Sequence, residues 1–255
     1  MPRPPGDPIL INATIHLGKA PGGGSSAQFY KADDGKLYLV KLKGNGQGIR
    51  VLANEYICGR LGELIGVPCG EHLLINVGDA LHPPNGIPQI SQGIHFATTF
   101  YDHAQSDSMQ LRHTTNFSAF PSVVVFDTFI ALKDSRQHLT YPSSGDPNGA
   151  KDIGVIIDQG HALTGNPSWD LSTLNANPDC NILDGLGLKP DFPAISFYEP
   201  YLHRVEAISK DEMRALVNEA PLQEWQVSQQ EAEGLVEWFE TRKTRLRPAI
   251  EAFLR

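Results

Sequence analysis

The chain has 255 residues, 40% hydrophobic and 20% charged, ordinary globular values that exclude wholesale disorder and a fibrous protein. Its 21 Lys and Arg against 29 Asp and Glu leave a formal net charge of -8, which argues against a general nucleic-acid binder, although a local basic groove fits inside an acidic average. Cys58, Cys69 and Cys180 form no CxxC pair, so neither a disulfide framework nor a structural zinc cluster is expected, and the expected compartment is a reducing cytoplasm.

The opening MPRPPGDPIL has no apolar core of signal-peptide length, and no stretch reaches the roughly 18 apolar residues of a membrane span. Residues 9–17, ILINATIHL, alternate in part and predict a first strand. A polar turn follows, running from Gly18 through Gly22, Gly23, Gly24 and Ser25 to Ser26. The second strand, Ala27 to Ala32, meets Asp33-Asp34-Gly35, a hairpin signal because Asp-Gly suits positive φ. A third strand spans Lys36 to Leu42. Over residues 50–65 the spacing turns helical, with Val51, Leu52, Ile57, Leu61, Leu64 and Ile65 three and four apart, and Gly66 and Pro68 end the helix. Residues 70–77 and 92–101 predict two more strands.

From about residue 104 the pattern changes. Ser118 to Lys133 is apolar almost all round and predicts a buried helix, with Pro121 tolerable only in its first turn and Asp134 at its end. IGVII at 153–157 predicts a short buried strand. Ser209 to Glu212 and Ser228 to Glu231 are capping boxes, and the last helix carries Leu235, Trp238, Phe239 and Leu246 before Pro248. A sheet-rich lobe over residues 1–102 is therefore expected before a helical lobe over 103–255. The fold class is α+β, two unlike lobes with a cleft between them: an antiparallel sheet with one helix, then a mainly helical region.

Four features bear on chemistry, and their order carries more than any one alone. A Gly-rich turn can bring backbone N–H groups close enough to cover phosphates, although taken alone such a turn is more often a plain hairpin loop. Lys41 lies in the apolar strand Leu37-Tyr38-Leu39-Val40-Lys41, where alternation puts Leu37, Leu39 and Lys41 on one face. A lysine there needs a counter-charge, an anionic ligand or water. Glu55, near the start of the helix, is placed to pair with Lys41, though an acid there also suits the helix dipole. Asp134 follows the buried helix, and Asp158 follows IGVII in Asp158-Gln159-Gly160-His161. Gly-rich hairpin, strand Lys, helix Glu, loop Asp, strand-end Asp-x-Gly is the order of parts in protein-kinase-like phosphotransferases.

Tyr38-Leu39-Val40-Lys41 through Asn54-Glu55 to Gly66-Val67-Pro68, with the hairpin of Gly22 to Ser25, resembles the HipA-like kinases. Phe126-Asp127 to Asp134 and Ile157-Asp158-Gln159-Gly160-His161 resemble that family's catalytic and metal-binding segments, so the resemblance covers roughly residues 9–165. It implies a two-lobed kinase fold, ATP and Mg as cofactors, Lys41 on the nucleotide phosphates, Glu55 as its partner, Asp134 as catalytic base and Asp158 as metal ligand. The family's asparagine, about five residues beyond its aspartate, is absent here, and allowing one missing residue puts His138 in its place. Imidazole is a softer ligand than Mg prefers. The arginine usually next to the aspartate is displaced to Arg136. Asp127, inside an apolar helix, is expected to hydrogen-bond the backbone of the catalytic loop.

The function expected is ATP- and Mg-dependent phosphoryl transfer to a hydroxyl, on a protein Ser/Thr, a small molecule or a lipid head group. Two alternatives stay open: a nucleotide-binding pseudokinase serving as a regulatory or scaffolding module, and an interaction protein that keeps the fold without nucleotide. His95, His103 and His113 lack zinc-site spacing. Cys58, Trp225 and Trp238 read as packing residues.

Overall fold

β1 (Leu10–Lys19), β2 (Gln28–Ala32) and β3 (Leu37–Lys41) pair antiparallel in chain order; β5 (Gly93–Thr99) then joins β3 to β4 (His72–Val77). β4 returns to β1 in parallel, through Leu10 with Leu74, Ile11 with Ile75 and Asn12 with Asn76, and closes the five strands into a barrel. Expected from sequence as wholly antiparallel, the sheet thus has one parallel seam. A closed ring with an odd number of strands cannot be antiparallel at every seam, and closure removes the exposed edges. These features belong to a computed structural model, which describes residues 3–21, 25–78, 81, 93–143, 151–165 and 167–255.

Alternation sorts the side chains of the barrel. Tyr30, Ala32, Tyr38, Val40, Ile75, Val77 and Ala97 fill its interior, while Lys41, out of phase with Tyr38 and Val40, lies on the outer face. That face meets α1 (Val51–Ile65), in which every residue except Glu63 and Leu64 is buried. The helix stops at Gly66, whose φ of +83 lets its N–H reach the carbonyls of Gly62 and Glu63. A Cβ there would also lie 1.8 Å from Arg204 Nη1.

The apolar residues of α1 join the core of the C-terminal region, with Val123, Val124, Phe126 and Phe129 of α3 (Pro121–Phe129). Each fully buried Val or Phe contributes roughly 1.5–3 kcal/mol to that core. Pro121 occupies the first turn of α3, after a short 3-10 turn at Phe117–Ala119. The helix ends earlier than the pattern predicts, at Phe129, because Ala131 at φ +50 turns the chain. β6 (Gln137–Pro142) and β7 (Asp152–Ile157) then form a hairpin. β6 was not among the expected strands, since its residues coincide with the catalytic-loop pattern.

α2 (Ser108–Leu111) and α4 (Leu171–Ala176) are short. α5 (Glu199–Ala207), α6 (Lys210–Val217) and α7 (Gln229–Leu254) complete the helical region. Both capping boxes form, Ser209 with Glu212 and Ser228 with Glu231. α7 runs on through Pro248, beyond the residues from which it was read. A proline inside a helix costs about 3 kcal/mol, and burial of Leu246 and Ile250 on either side offsets it. Among the described residues no helix is long and apolar enough to cross a membrane.

Candidate active site

Lys41 ends β3, and Glu55 stands on the second turn of α1. The ammonium of Lys41 donates to Glu55 Oε1 and, over 3.0 Å, to Asp158 Oδ1. Lys41 is 7% exposed and Glu55 2%, so the pairing expected across the sheet–helix boundary is present in a nearly dry setting. One ammonium between two carboxylates leaves a negative charge that these three groups do not balance. Backbone donors share it: Gln159 N donates to Glu55 Oε2 over 3.0 Å, and Gly160 N to Asp158 Oδ1 over 3.3 Å.

The three groups respond differently to burial. Burial pushes the Glu55 carboxyl up, and the like charge of Asp158 adds to it, with Lys41 offsetting only part. Burial also opposes the Asp158 charge, but Lys41 and the hydrogen bonds to its oxygens outweigh it and hold Asp158 well below the usual carboxylate range. For Lys41 burial favours the neutral amine, yet Glu55 and Asp158 overcome it and raise its pKa. The cluster is therefore built around an ionised Asp158 and a protonated Lys41.

Asp158 leaves β7 at φ +65, a left-handed conformation that costs a non-glycine residue roughly 1–2 kcal/mol. Leu163, Thr164 and the facing Ala131 are also left-handed. Such strain gathers where surrounding bonds over-determine the backbone. Here Arg136 Nη1 donates to the carbonyls of Ile157 (2.8 Å) and Asp158 (3.1 Å). The rest of that guanidinium holds the buried Asp127 carboxylate, with Nε 3.0 Å from Oδ2. Asp127 thus meets a side chain and not the loop backbone expected for it; a buried carboxylate is best matched by an opposite charge, and Arg136 points inward to supply one. Asn54 secures the same segment from α1, donating to the carbonyls of Gly160 and Ala162 and accepting from Trp169 Nε1.

Asp134 is exposed in the turn before Arg136, its carboxylate accepting only from its neighbour Ser135 N, at 2.7 Å, among the described residues. It is joined to the cluster through Arg136 and through Lys133 N, which donates to His161 O. His138 is not brought to Asp158. It pairs with Ile156 on the buried face of β6, and its Nε2 has no hydrogen-bond partner among the described residues. Gln137, on the opposite face, donates from Nε2 to Asp158 Oδ2 at 3.3 Å. Ser25 is buried in the turn leading into β2, and Gly22, Gly23 and Gly24 lie outside the described residues.

Sequence reasoning missed Asn54 as part of the site, noted Arg136 only as the family's displaced arginine, and missed Gln137. Polar residues inside or beside an apolar run were the available signal for the first two. For Gln137 the signal was its place one strand residue from His138, on the other face.

Five barrel strands, a lysine held by the first long helix, and a strand-end aspartate beside it define the protein-kinase-like class of fold. A Helicobacter pylori proinflammatory kinase, CtkA, superposes over 98% of this chain and 100% of its own at a TM-score of 0.59 and 15% identity. A Golgi casein kinase, solved with Mn and ADP bound, covers 97% of this chain and 73% of its own at a TM-score of 0.51 and 10% identity. No curated protein sequence matches the chain. The model of the HipA-like kinases matches residues 17–163, more than half of the sequence, and the chain belongs to that family.

Proposed function

We propose that the protein is an ATP- and divalent-cation-dependent phosphotransferase, with Mg as the cation, acting on a hydroxyl acceptor. The observation that carries this reading is the ammonium of Lys41, buried and held between Glu55 and Asp158. Lys41 binds the nucleotide phosphates, and Glu55 keeps its ammonium aimed at them. Asp158 Oδ2, turned away from Lys41, is a hard anionic oxygen of the kind Mg takes. When bound, such a cation neutralises charge on the transferring phosphate.

Asp134 accepts the proton of the acceptor hydroxyl. The acceptor oxygen bonds to the γ-phosphorus as the bond to the bridging oxygen breaks and ADP leaves. The exposure of Asp134 suits this role, because an acceptor can reach it from solvent. A second reading, nucleotide binding without transfer, is favoured by the run Asp134-Ser135-Arg136-Gln137-His138, which lacks the family's asparagine.

Thermal unfolding with ATP, with and without Mg or Mn, tests binding: at a hundred times its dissociation constant a ligand adds about 2.7 kcal/mol. Transfer of labelled phosphate that disappears in Asp134→Ala, while that variant keeps the ATP-induced shift, supports the phosphotransferase. A shift without transfer in the native chain supports the second reading, and no shift at all removes both.

A further inference from the structure

We propose that Gln137 faces the divalent cation alongside Asp158 and supplies a carboxamide oxygen as its second protein ligand, an inference that rests on the reading of the cluster as a nucleotide–metal site. Two constraints lead to it. The first is how the oxygens of Asp158 are used. Oδ1 is taken by Lys41 and by the N–H of Gly160. The described partner of Oδ2 is Gln137 Nε2, at 3.3 Å. The lone pairs open to a cation are therefore the ones that Gln137 covers.

The second constraint is register. Gln137 pairs with Ile157, the residue before Asp158, and His138 pairs with Ile156. Successive side chains of a strand point to opposite faces, so Gln137 and His138 cannot both line the same opening. Gln137 is exposed and His138 is 7% exposed. To bring the imidazole to Asp158, β6 would have to slip by one residue, which would also turn the buried Thr140 outward.

The chemistry agrees with the geometry. A carboxamide is a donor at one end and an acceptor at the other, and a turn about its last bond exchanges them. Facing the bare carboxylate of Asp158, Gln137 presents its NH2. Facing a cation on that carboxylate, it presents its oxygen. A carboxylate and a carboxamide form an all-oxygen pair, which Mg and Mn accept and imidazole-preferring metals do not favour. Among the described residues no three His, Cys, Asp or Glu side chains converge as a metal cage. A cation on this pair takes its remaining ligands from phosphate and water, the usual arrangement for Mg.

The test uses the full chain, Mn as the cation and the non-hydrolysable analogue AMP-PNP, with free Mn read by its electron paramagnetic resonance signal. Gln137→Ala is expected to weaken Mn binding in the presence of AMP-PNP roughly tenfold or more, on the scale by which loss of a metal's supporting residues acts, without changing affinity for AMP-PNP alone. Gln137→Glu, which restores an oxygen and adds charge, is expected to bind Mn at least as tightly as the native chain, and His138→Ala to bind it equally. Native-like Mn affinity in Gln137→Ala, beside a loss in Asp158→Asn, overturns the assignment and leaves Gln137 as a hydrogen-bond donor only. Native-like Mn affinity in Asp158→Asn as well overturns the metal-site reading beneath it.

Discussion

Lys41 has two carboxylate partners, and this changes what its removal or theirs should do. With Glu55 gone, Lys41 keeps Asp158 at 3.0 Å, so Glu55→Gln is expected to lower ATP affinity while the barrel stays folded. Lys41→Met is expected to lower affinity further. The double variant should lose less than the sum, because the two groups act as one unit. Calorimetric titration of the four proteins checks this, and strictly additive losses would contradict it. Asp158 makes a separate prediction about acid. Its folded pKa lies below the ordinary 3.8, so its contribution to stability is present above about pH 4 and is lost as the pH falls toward the lowered value. The gap in unfolding free energy between the native chain and Asp158→Asn should narrow as the pH falls below about 4, measured by urea denaturation. Glu55 acts with the opposite sign: its pKa is raised, so the unfolded chain releases that proton first as pH climbs past 4.5. Gly160 is constrained by closeness alone. A Cβ there would lie 3.1 Å from Glu55 Oε1 and 3.3 Å from Asp158 Oδ1, so Gly160→Ala is expected to displace both carboxylates and weaken ATP binding, with little loss in melting temperature.

At the scale of elements, α1 is held on all sides. Arg60 is wholly buried, with Nε 2.9 Å from Glu219 Oε2 and Nη1 on Glu63. Tyr56 OH donates to the same Glu219 carboxylate, and Gly6 N reaches its other oxygen, both over 2.8 Å. At the start of the helix Arg50 binds Glu231 of α7 and stacks over Trp169. Contacts within the chain so enclose the helix that Glu55 is kept against Lys41. Removing one member of a buried ion pair costs roughly 3–5 kcal/mol. Since Arg60 keeps Glu63, Glu219→Ala is expected at about 3 kcal/mol, read as a shift of the urea midpoint at unchanged slope. A loss below about 1 kcal/mol would mean that α1 is positioned by apolar packing alone.

Across the whole molecule the barrel and the helical region have separate cores, yet α1 belongs to the second while lying on the first. Other ties cross the same boundary. Lys43 binds Glu224 over 2.8 Å, and Trp225 Nε1 donates to Ile94 O over 3.0 Å. Barrel and helices are therefore expected to unfold in one transition. Trp169 and Trp238 report on the helical region, and Trp225 on its boundary with the barrel. Their fluorescence should change at the same urea concentration at which amides of β2 and β3 lose protection from hydrogen exchange. Earlier loss in the barrel would show two independent units.

What the sequence determined by itself was local. Alternation over 9–17 and 27–42, the Asp34-Gly35 turn, the helix stopped at Gly66 and the boxes at Ser209 and Ser228 each depend on residues within a few positions of one another. The order of Lys41, Glu55, Asp134 and Asp158 was legible too, because spacing along a chain survives folding. Tertiary structure alone decided the parallel seam of β1 with β4, the Asp127–Arg136 pair and the passage of α7 through Pro248. It also decided that Gln137, and not His138, meets Asp158. In each case the deciding partner lies far along the chain or on another strand. A buried charge takes the counter-charge that packing brings to it, and the face a strand residue occupies follows from register, a property of two strands and not of one.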